Sequence, residues 1–479
     1  MKEKVVLIGA GSAMFTRGLV ADMLRRKWQG ELRLVDVDPE ALAVAKGLAR
    51  KMIQAKRSPL KLSGSTDRRD LLKGATAVIC TIGVGGRRAW EQDVYIPRKY
   101  GIYQPVGDSV MPGGSARALR MIPAMVGIAW DVLALAPGAL FFNYGNPMGP
   151  NCRAVRKATG ANVIGLCHGV IHIAQHIANL LGVPLDRLKY NAVGMNHLTW
   201  FTQVRVEGQD AMPRLRALAR EKLRRRINRL SPPGHAGQAA SGRGRVRPDE
   251  SEPFTWELVD LFGAFPAVYD CHIIEFFPHF FHREGSYYGR TPGVNWVNFE
   301  ERIASGDAIF EEMRQVARSR GPLAKDYFAR ISGEHEQVIE MIESIRTDAG
   351  RVFSVNLPNR GIVPNLPYDA VIECPGIADA GGIRAIAQPP LDSAIAGTLA
   401  TRFQWAETIV EAALAGSREK FVQALLLDGS VESVPMAHQL ADDLLRAHAK
   451  YLPQFRRPKQ EGRMFCRKPE RAERGRPWA

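Results

Sequence analysis

Cysteine is scarce in this chain. There are six among 479 residues, at positions 80, 152, 167, 271, 374 and 466, and no two form a CxxC pair. A disulfide-stapled miniprotein is thereby excluded. No secretory signal is expected either, because Lys2 and Lys4 lead straight into a strand-like run with no cleavage site behind it. No apolar stretch reads as long enough for a membrane span. A reducing, cytoplasmic setting without membrane contact is therefore the expectation. A GxSxG serine elbow is missing, and so is any recognisable pair of glycosidase carboxylates. What is present is 46% hydrophobic and 24% charged residues, which excludes a disordered or collagen-like chain and supplies core for two large or three ordinary domains.

The net charge of +16 suggests nucleic acid until it is located. Residues 213–247 carry eleven Arg/Lys against Glu221 alone, a net +10, and residues 456–479 carry nine against three Glu, a net +6. The rest of the chain balances to zero. Two local Arg-rich segments, with no aromatics interleaved in the first, read as a solvated loop and tail rather than a binding groove. A basic nucleic-acid-binding protein is the rival of another class; a small-molecule partner is preferred.

The N-terminal third alternates short apolar runs with helical patterns. Val5–Ile8, Leu32–Asp36, Ala77–Ile82, Leu140–Asn143 and Asn162–Leu166 read as strands, and their spacing predicts an α/β fold with a Rossmann-type doubly wound parallel sheet over residues 1–184. Residues 185–454 read as a second, α+β domain for substrate, metal and oligomerisation, with antiparallel-type strands at 190–206 and a long helix at 392–415. A Gly/Pro/Ser-rich stretch at 231–250 reads as a mobile insertion, and 455–479 as a disordered basic tail.

Gly9-Ala10-Gly11-Ser12-Ala13-Met14 follows a strand and opens a helical pattern that begins with Met14 and Phe15. Glycines there let the backbone approach a pyrophosphate, and a helix N-terminus offers free N–H groups. Met14 replaces the third glycine of the fingerprint. Asp36 ends the second strand, where a carboxylate accepts from the adenosine ribose and repels a 2′-phosphate, which favours NAD over NADP. The alternative is a tight turn and an Asp that caps the next helix.

Cys167 and His197 end two strand-like runs thirty residues apart. A thiolate and an imidazole suit a divalent metal with positions left open for substrate. Taken singly, they read as a core thiol and a satisfied histidine. His272 reads as a helix-surface or aromatic-cluster residue.

Seven stretches then carry a resemblance: VVLIGAGSAMFT (5–16), IPRKYG (96–101), VGDSVMPGGSARALRMIP (106–123), NYGNPM (143–148), LCHGV (166–170), GMNHLTWF (194–201) and NLPYDAVIECPG (365–376). In this order they resemble glycoside hydrolase family 4, the NAD- and manganese-dependent α-glycosidases, over roughly residues 1 to 450. The resemblance implies a fold like lactate and malate dehydrogenase. It also implies hydrolysis by C3 oxidation onto NAD, C2 deprotonation and elimination of the aglycone, with Mn2+ held by Cys167 and His197. On the same resemblance Asn146 is expected as a sugar-hydroxyl ligand and His168 as the leaving-group acid. Association as a homodimer or homotetramer is implied as well.

This sequence departs from the family at the expected C2 base, where Phe276 stands in place of a tyrosine. Asp270 is the preferred substitute, and Tyr287, Tyr288 and a metal-bound hydroxide are the others. Met111 replaces a common glycine and Trp90 a common arginine. The Glu275-Phe276-Phe277-Pro278 form resembles the α-galacturonidase and α-glucuronidase branch. A uronate carboxylate wants an arginine fork, for which Arg117, Arg283 and Arg290 are candidates. α-Galactosidase or α-glucosidase activity, or a plain NAD-dependent 2-hydroxyacid dehydrogenase, are the alternatives.

Overall fold

A computed structural model describes residues 2–230, 253–277, 299–331 and 337–456. The insertion expected at 231–250, nearly all of the expected tail, and Arg283, Tyr287, Tyr288 and Arg290 lie outside the described residues.

The strands are β1 (Lys2–Ile8), β2 (Gln29–Val35), β3 (Lys61–Ser65), β4 (Ala77–Cys80), β5 (Leu140–Asn143), β6 (Val163–Gly165), β7 (Leu188–Met195), β8 (Leu198–Val206), β9 (Gln209–Asp210), β10 (Phe265–Pro266), β11 (Arg351–Pro358), β12 (Val371–Asp379) and β13 (Gly382–Ala385). They join one sheet in the order β10-β8-β7-β12-β11-β6-β5-β4-β1-β2-β3, with β13 beside β12 and β9 beside β8. The stretch from β3 to β6 is parallel. Its order, β3-β2-β1-β4-β5-β6, reverses direction between β1 and β4, so a crevice opens at the carboxyl ends of those two strands. From β6 outward the pairing is antiparallel.

The buried runs explain the parallel half. Val5, Val6, Leu7 and Ile8 are all buried, as are all four residues of β4, because helices cover both faces. The sequence pattern passed over β3. Its residues, Lys61-Leu62-Ser63-Gly64-Ser65, are only exposed or half-buried at the sheet edge, and an edge strand needs no apolar run.

The helix Met111–Leu135 corrects one expectation, since it is long and apolar enough to cross a bilayer. Arg117, Arg120 and Asp131 interrupt the run in the linear sequence. In the fold most of the helix is buried. Arg120 forms a two-pronged ion pair with Asp93 inside the protein, Nη1 to Oδ1 at 2.7 Å, and Asp131 accepts from Arg68 at 2.8 Å. Paired charges of this kind are what a core helix tolerates. The helix Ser393–Ala415 lies against it, with Trp405 donating Nε1 to Ser115 at 3.0 Å.

The basic helix Met212–Leu230 buries Leu215 and Ala219, while Arg220 pairs with Asp260 at 2.7 Å and Lys222 lies 5.0 Å from the centre of the Trp256 ring.

Candidate active site

The glycine loop runs from β1 to the helix Thr16–Arg25, which begins two residues later than its apolar pattern suggests. Residues 12–15 instead form a turn. The Ser12 hydroxyl accepts from Met14 N and Phe15 N at 3.3 Å each, and Thr16 Oγ1 donates to Ala10 O at 2.6 Å. Gly9 has φ +91°, and a Cβ there would stand 2.8 Å from Ile82 N. Met14, in the place of the third glycine, is 59% exposed and crowds nothing.

Asp36 is tied to this loop. Its Oδ2 accepts from Gly11 N at 2.7 Å and its Oδ1 from Asp38 N at 3.0 Å. A Cβ on Gly11 would lie 2.8 Å from that Oδ2, so only glycine lets the carboxylate come so close. Burial raises the Asp36 pKa, against the lowering pull of the two N–H groups. The next helix is capped by a different residue, Asp38, whose Oδ1 accepts from Glu40 N and Ala41 N. Asp36 therefore does not cap that helix; its carboxylate ties the glycine loop to the end of β2.

Contacts lead from the loop to a second group of side chains. Thr81 Oγ1 donates to Gly9 O at 3.0 Å. Gly145 lies under Ile82 O, 3.2 Å from its absent Cβ, and the Asn146–Pro147 peptide that follows is cis. Asn146 Nδ2 donates to Asp108 Oδ2 at 2.9 Å, and the Ser109 hydroxyl donates to Asp108 Oδ1 at 2.7 Å. Having spent its one proton, Ser109 Oγ must accept from His197 Nδ1 at 2.5 Å. Nε2 of His197 then carries the lone pair, which is the tautomer a metal requires.

His197 sits in the tight turn between β7 and β8 with φ +66°, a left-handed backbone that few side chains adopt without cost. His272, on the short helix Asp270–Phe276, stacks against it with ring centres 4.0 Å apart. Asp108, His197 and His272 each offer a ligand atom, and the three atoms lie within 4.8 Å of one another. Burial lowers the pKa of both imidazoles. Burial alone would raise Asp108; the charges of His197, His272 and Arg117 outweigh it and hold the carboxylate below its usual range. An ionised carboxylate and two imidazoles form a donor set that fits a divalent cation, whose arrival replaces the ring protons as the positive charge beside Asp108.

Cys167 is half-buried after β6, its Sγ accepting from Gly169 N at 3.4 Å where the helix Gly169–Leu181 begins. It lies outside the mutual set of three. Its neighbour His168 is exposed, stacks on His172 at 4.6 Å, and is near enough to depress His197 and His272 electrostatically. Arg117 donates Nε to Asn146 O at 3.1 Å and lies 5.7 Å from the Trp90 ring centre. Its two Nη groups have no hydrogen-bond partner among the described residues. Trp90 in turn donates Nε1 to Val106 O at 2.6 Å, fixing the segment that carries Asp108.

Two expectations need correcting. Asp270 does not stand free as a base. Its carboxylate accepts from Phe254 N (2.8 Å), Thr255 N (2.7 Å) and Thr255 Oγ1 (2.7 Å), and so caps the helix Pro253–Phe262. Burial lifts its pKa to about 6. Asp270→Ala is expected to cost about 1–2 kcal/mol of stability by loss of that cap, with kcat within a few-fold of wild type; a kcat loss beyond 100-fold in folded protein would restore it as a base. His272, expected as a helix-surface or aromatic-cluster residue, is instead the partner of His197. The Phe276 ring is 2% exposed in the hydrophobic core, with the Arg402 guanidinium 5.8 Å from its centre.

Sequence reasoning gave no part to Asp108, Ser109 or Glu275. The carboxylate of Glu275 is wholly buried, and its Oε1 accepts from Val106 N at 2.9 Å and Gly107 N at 2.7 Å. The i, i+3 pairing of His272 with Glu275 was the available signal. Burial raises Glu275 from the usual 4.5 to about 8. In the metal-free protein the fold therefore favours the protonated acid. Its contribution is complete below about pH 4.5 and is lost as pH rises through about 8. Metal-free protein is expected to lose urea resistance between pH 6 and 9, and Glu275→Gln should flatten that slope; equal slopes in the two proteins would count against the assignment.

A dinucleotide-type glycine loop and a histidine–carboxylate cluster on one crest of a doubly wound sheet define an enzyme of the dinucleotide-fold class. The chain belongs to family 4 of the glycosyl hydrolases: the family 4 model matches residues 4–183 and the model of its C-terminal domain matches residues 192–431. An α-galactosidase of Rhizobium meliloti is 30% identical, over 94% of this chain and 89% of that protein. An α-galacturonidase of Bacillus subtilis is 27% identical, over 92% and 97%. Among solved structures, a 6-phospho-α-glucosidase from gut microorganisms, in complex with NAD and Mn2+, has a TM-score of 0.78 at 22% identity and covers 95% of this chain and 100% of that one.

Proposed function

We propose that this family 4 enzyme hydrolyses α-glycosides with NAD and a divalent ion, Mn2+, and that its substrates are α-galacturonides or α-glucuronides. A cytoplasmic homodimer or homotetramer belongs to the same reading. The observation that carries it is the line that runs from Gly9 to Thr81 by a hydrogen bond, passes where Gly145 lies beneath Ile82 O, and continues by hydrogen bonds from Asn146 through Asp108 and Ser109 to His197. That line joins a nucleotide-type loop to a metal-type donor set.

NAD supplies a reversible hydride acceptor when bound, and the ion a Lewis acid for the sugar hydroxyls. Gly9, Gly11 and Ser12 shape the pyrophosphate turn, Met14 and Phe15 follow at its rim, and Asp36 accepts from the ribose. Cys167 and His197 would hold the ion. Asn146, held by one amide hydrogen on Asp108, keeps Oδ1 for a sugar hydroxyl. The Nη groups of Arg117, without a hydrogen-bond partner among the described residues, fit a uronate carboxylate, and Arg290 is a second candidate for it. His168, exposed beside the cluster, donates a proton to the departing oxygen.

Higher identity to an α-galactosidase than to an α-galacturonidase, 30% against 27%, favours a neutral sugar as the second reading. Aryl α-galacturonide, α-glucuronide, α-galactoside and α-glucoside, each assayed with and without NAD and Mn2+, decide between them. The expected result is turnover of a uronide that needs both additions, with no net accumulation of reduced cofactor. Preference for a neutral glycoside would remove the uronide assignment, and stoichiometric NADH would mark a dehydrogenase.

A further inference from the structure

The geometry points to His272 as a further protein ligand of the divalent ion, held in place by Glu275. This rests on the metal-dependent reading above and goes beyond the Cys167–His197 pair.

Two observations converge. The first is the mutual 4.8 Å approach of ligand atoms from Asp108, His197 and His272, with the imidazole rings only 4.0 Å apart. The second lies behind the His272 ring. Nδ1 of His272 and Oε2 of Glu275 are both buried and both without a hydrogen-bond partner among the described residues, and they face each other at 4.0 Å along one side of the helix Asp270–Phe276. Leaving two polar atoms so placed is costly unless something draws them together. A cation on the far ring nitrogen does so, because it makes Nδ1–H a stronger donor towards the carboxylate. This carboxylate–histidine–metal relay is the usual support for a histidine ligand.

Glu275 also reaches a second donor. Its Oε1 holds the N–H groups of Val106 and Gly107, directly ahead of Asp108. One buried carboxylate thereby fixes the loop that carries the oxygen donor and the ring that carries a nitrogen donor. Glu275 is a positioning residue; it touches no substrate.

Electron spin-echo spectroscopy of the full chain loaded with Mn2+ counts the imidazole nitrogens on the ion, and the EPR signal of free Mn2+ gives its Kd. Wild type should show two imidazole nitrogens and His272→Gln one. Mn2+ Kd should rise about 10- to 100-fold in His272→Gln and about tenfold in Glu275→Gln. Glu275→Gln keeps an oxygen acceptor for Val106 and Gly107, and an unchanged Kd for NAD verifies the fold of each variant. A single imidazole nitrogen in wild type, or an unchanged Mn2+ Kd in both variants, overturns the assignment of His272 while leaving the metal-dependent reading intact. If wild type binds no Mn2+ and hydrolyses glycosides without it, both fall.

Discussion

Cys167→Ser is expected to cut glycosidase turnover by at least about 10²–10³-fold, the scale on which removing one preorganised electrostatic stabiliser acts, while the Kd for NAD stays within about threefold, on the additivity expected of separate sites. The two effects should separate because the thiol and the nucleotide loop occupy different strand ends. Cys167 follows β6, whereas Gly9 follows β1. Serine can still accept from Gly169 N, so the start of the following helix is preserved. His197→Asn is the companion variant. Asparagine tolerates the left-handed backbone at φ +66°, and the change removes the imidazole without forcing the turn between β7 and β8 to rebuild. Full activity of Cys167→Ser at saturating Mn2+ would remove the thiolate from the proposed site.

Gly9→Ala should be strongly destabilising. Its φ of +91° is poorly suited to any L side chain, and its Cβ would meet Ile82 N at 2.8 Å and Thr81 C at 2.9 Å. Both contacts are backbone, and they continue directly from β4, which is paired to β1, so neither can withdraw. About 1–2 kcal/mol for the left-handed conformation and about 1–3 kcal/mol for overpacking give a loss of about 2–5 kcal/mol. NAD binding should be lost as the loop shifts. Gly74→Ala provides the control. Its φ is +69°, but the nearest atom to a new Cβ is the flexible Lys4 Nζ at 4.0 Å, so only the conformational part should appear. Urea midpoints of the two variants measure the difference, and equal midpoints would show that the close approach at Gly9 is unimportant.

Met111 illustrates how a departure from the family can be absorbed. It stands where glycine is common and has φ +61°, the backbone that glycine favours. Its side chain is 2% exposed in the core, and its N–H donates to Asp428 Oδ2 at 2.6 Å. Burial of a large apolar side chain offsets local strain here. Trp90, where arginine is common, keeps a polar link through its donation to Val106.

The sequence by itself determined the parallel half of the sheet except its edge strand β3, because buried strands advertise themselves as continuous apolar runs, and it marked the glycine loop, because a backbone that must approach a phosphate tolerates few residues. Asp36 was legible as a strand-end carboxylate beside that loop; that it ties down Gly11 N and Asp38 N emerged only in the fold. The motif stretches marked the family, since they lie in order along nearly the whole chain. What only the tertiary structure decided is which side chains meet. Asp108, His197 and His272 come from a loop, a hairpin turn and a short helix far apart in sequence, and no local spacing rule links them. Asp270 and His272 sit two residues apart on one helix, yet one caps a neighbouring helix and the other joins the donor cluster. Helical geometry turns residues two apart roughly 200° away from each other, and the partners on those two sides are set by packing over long range.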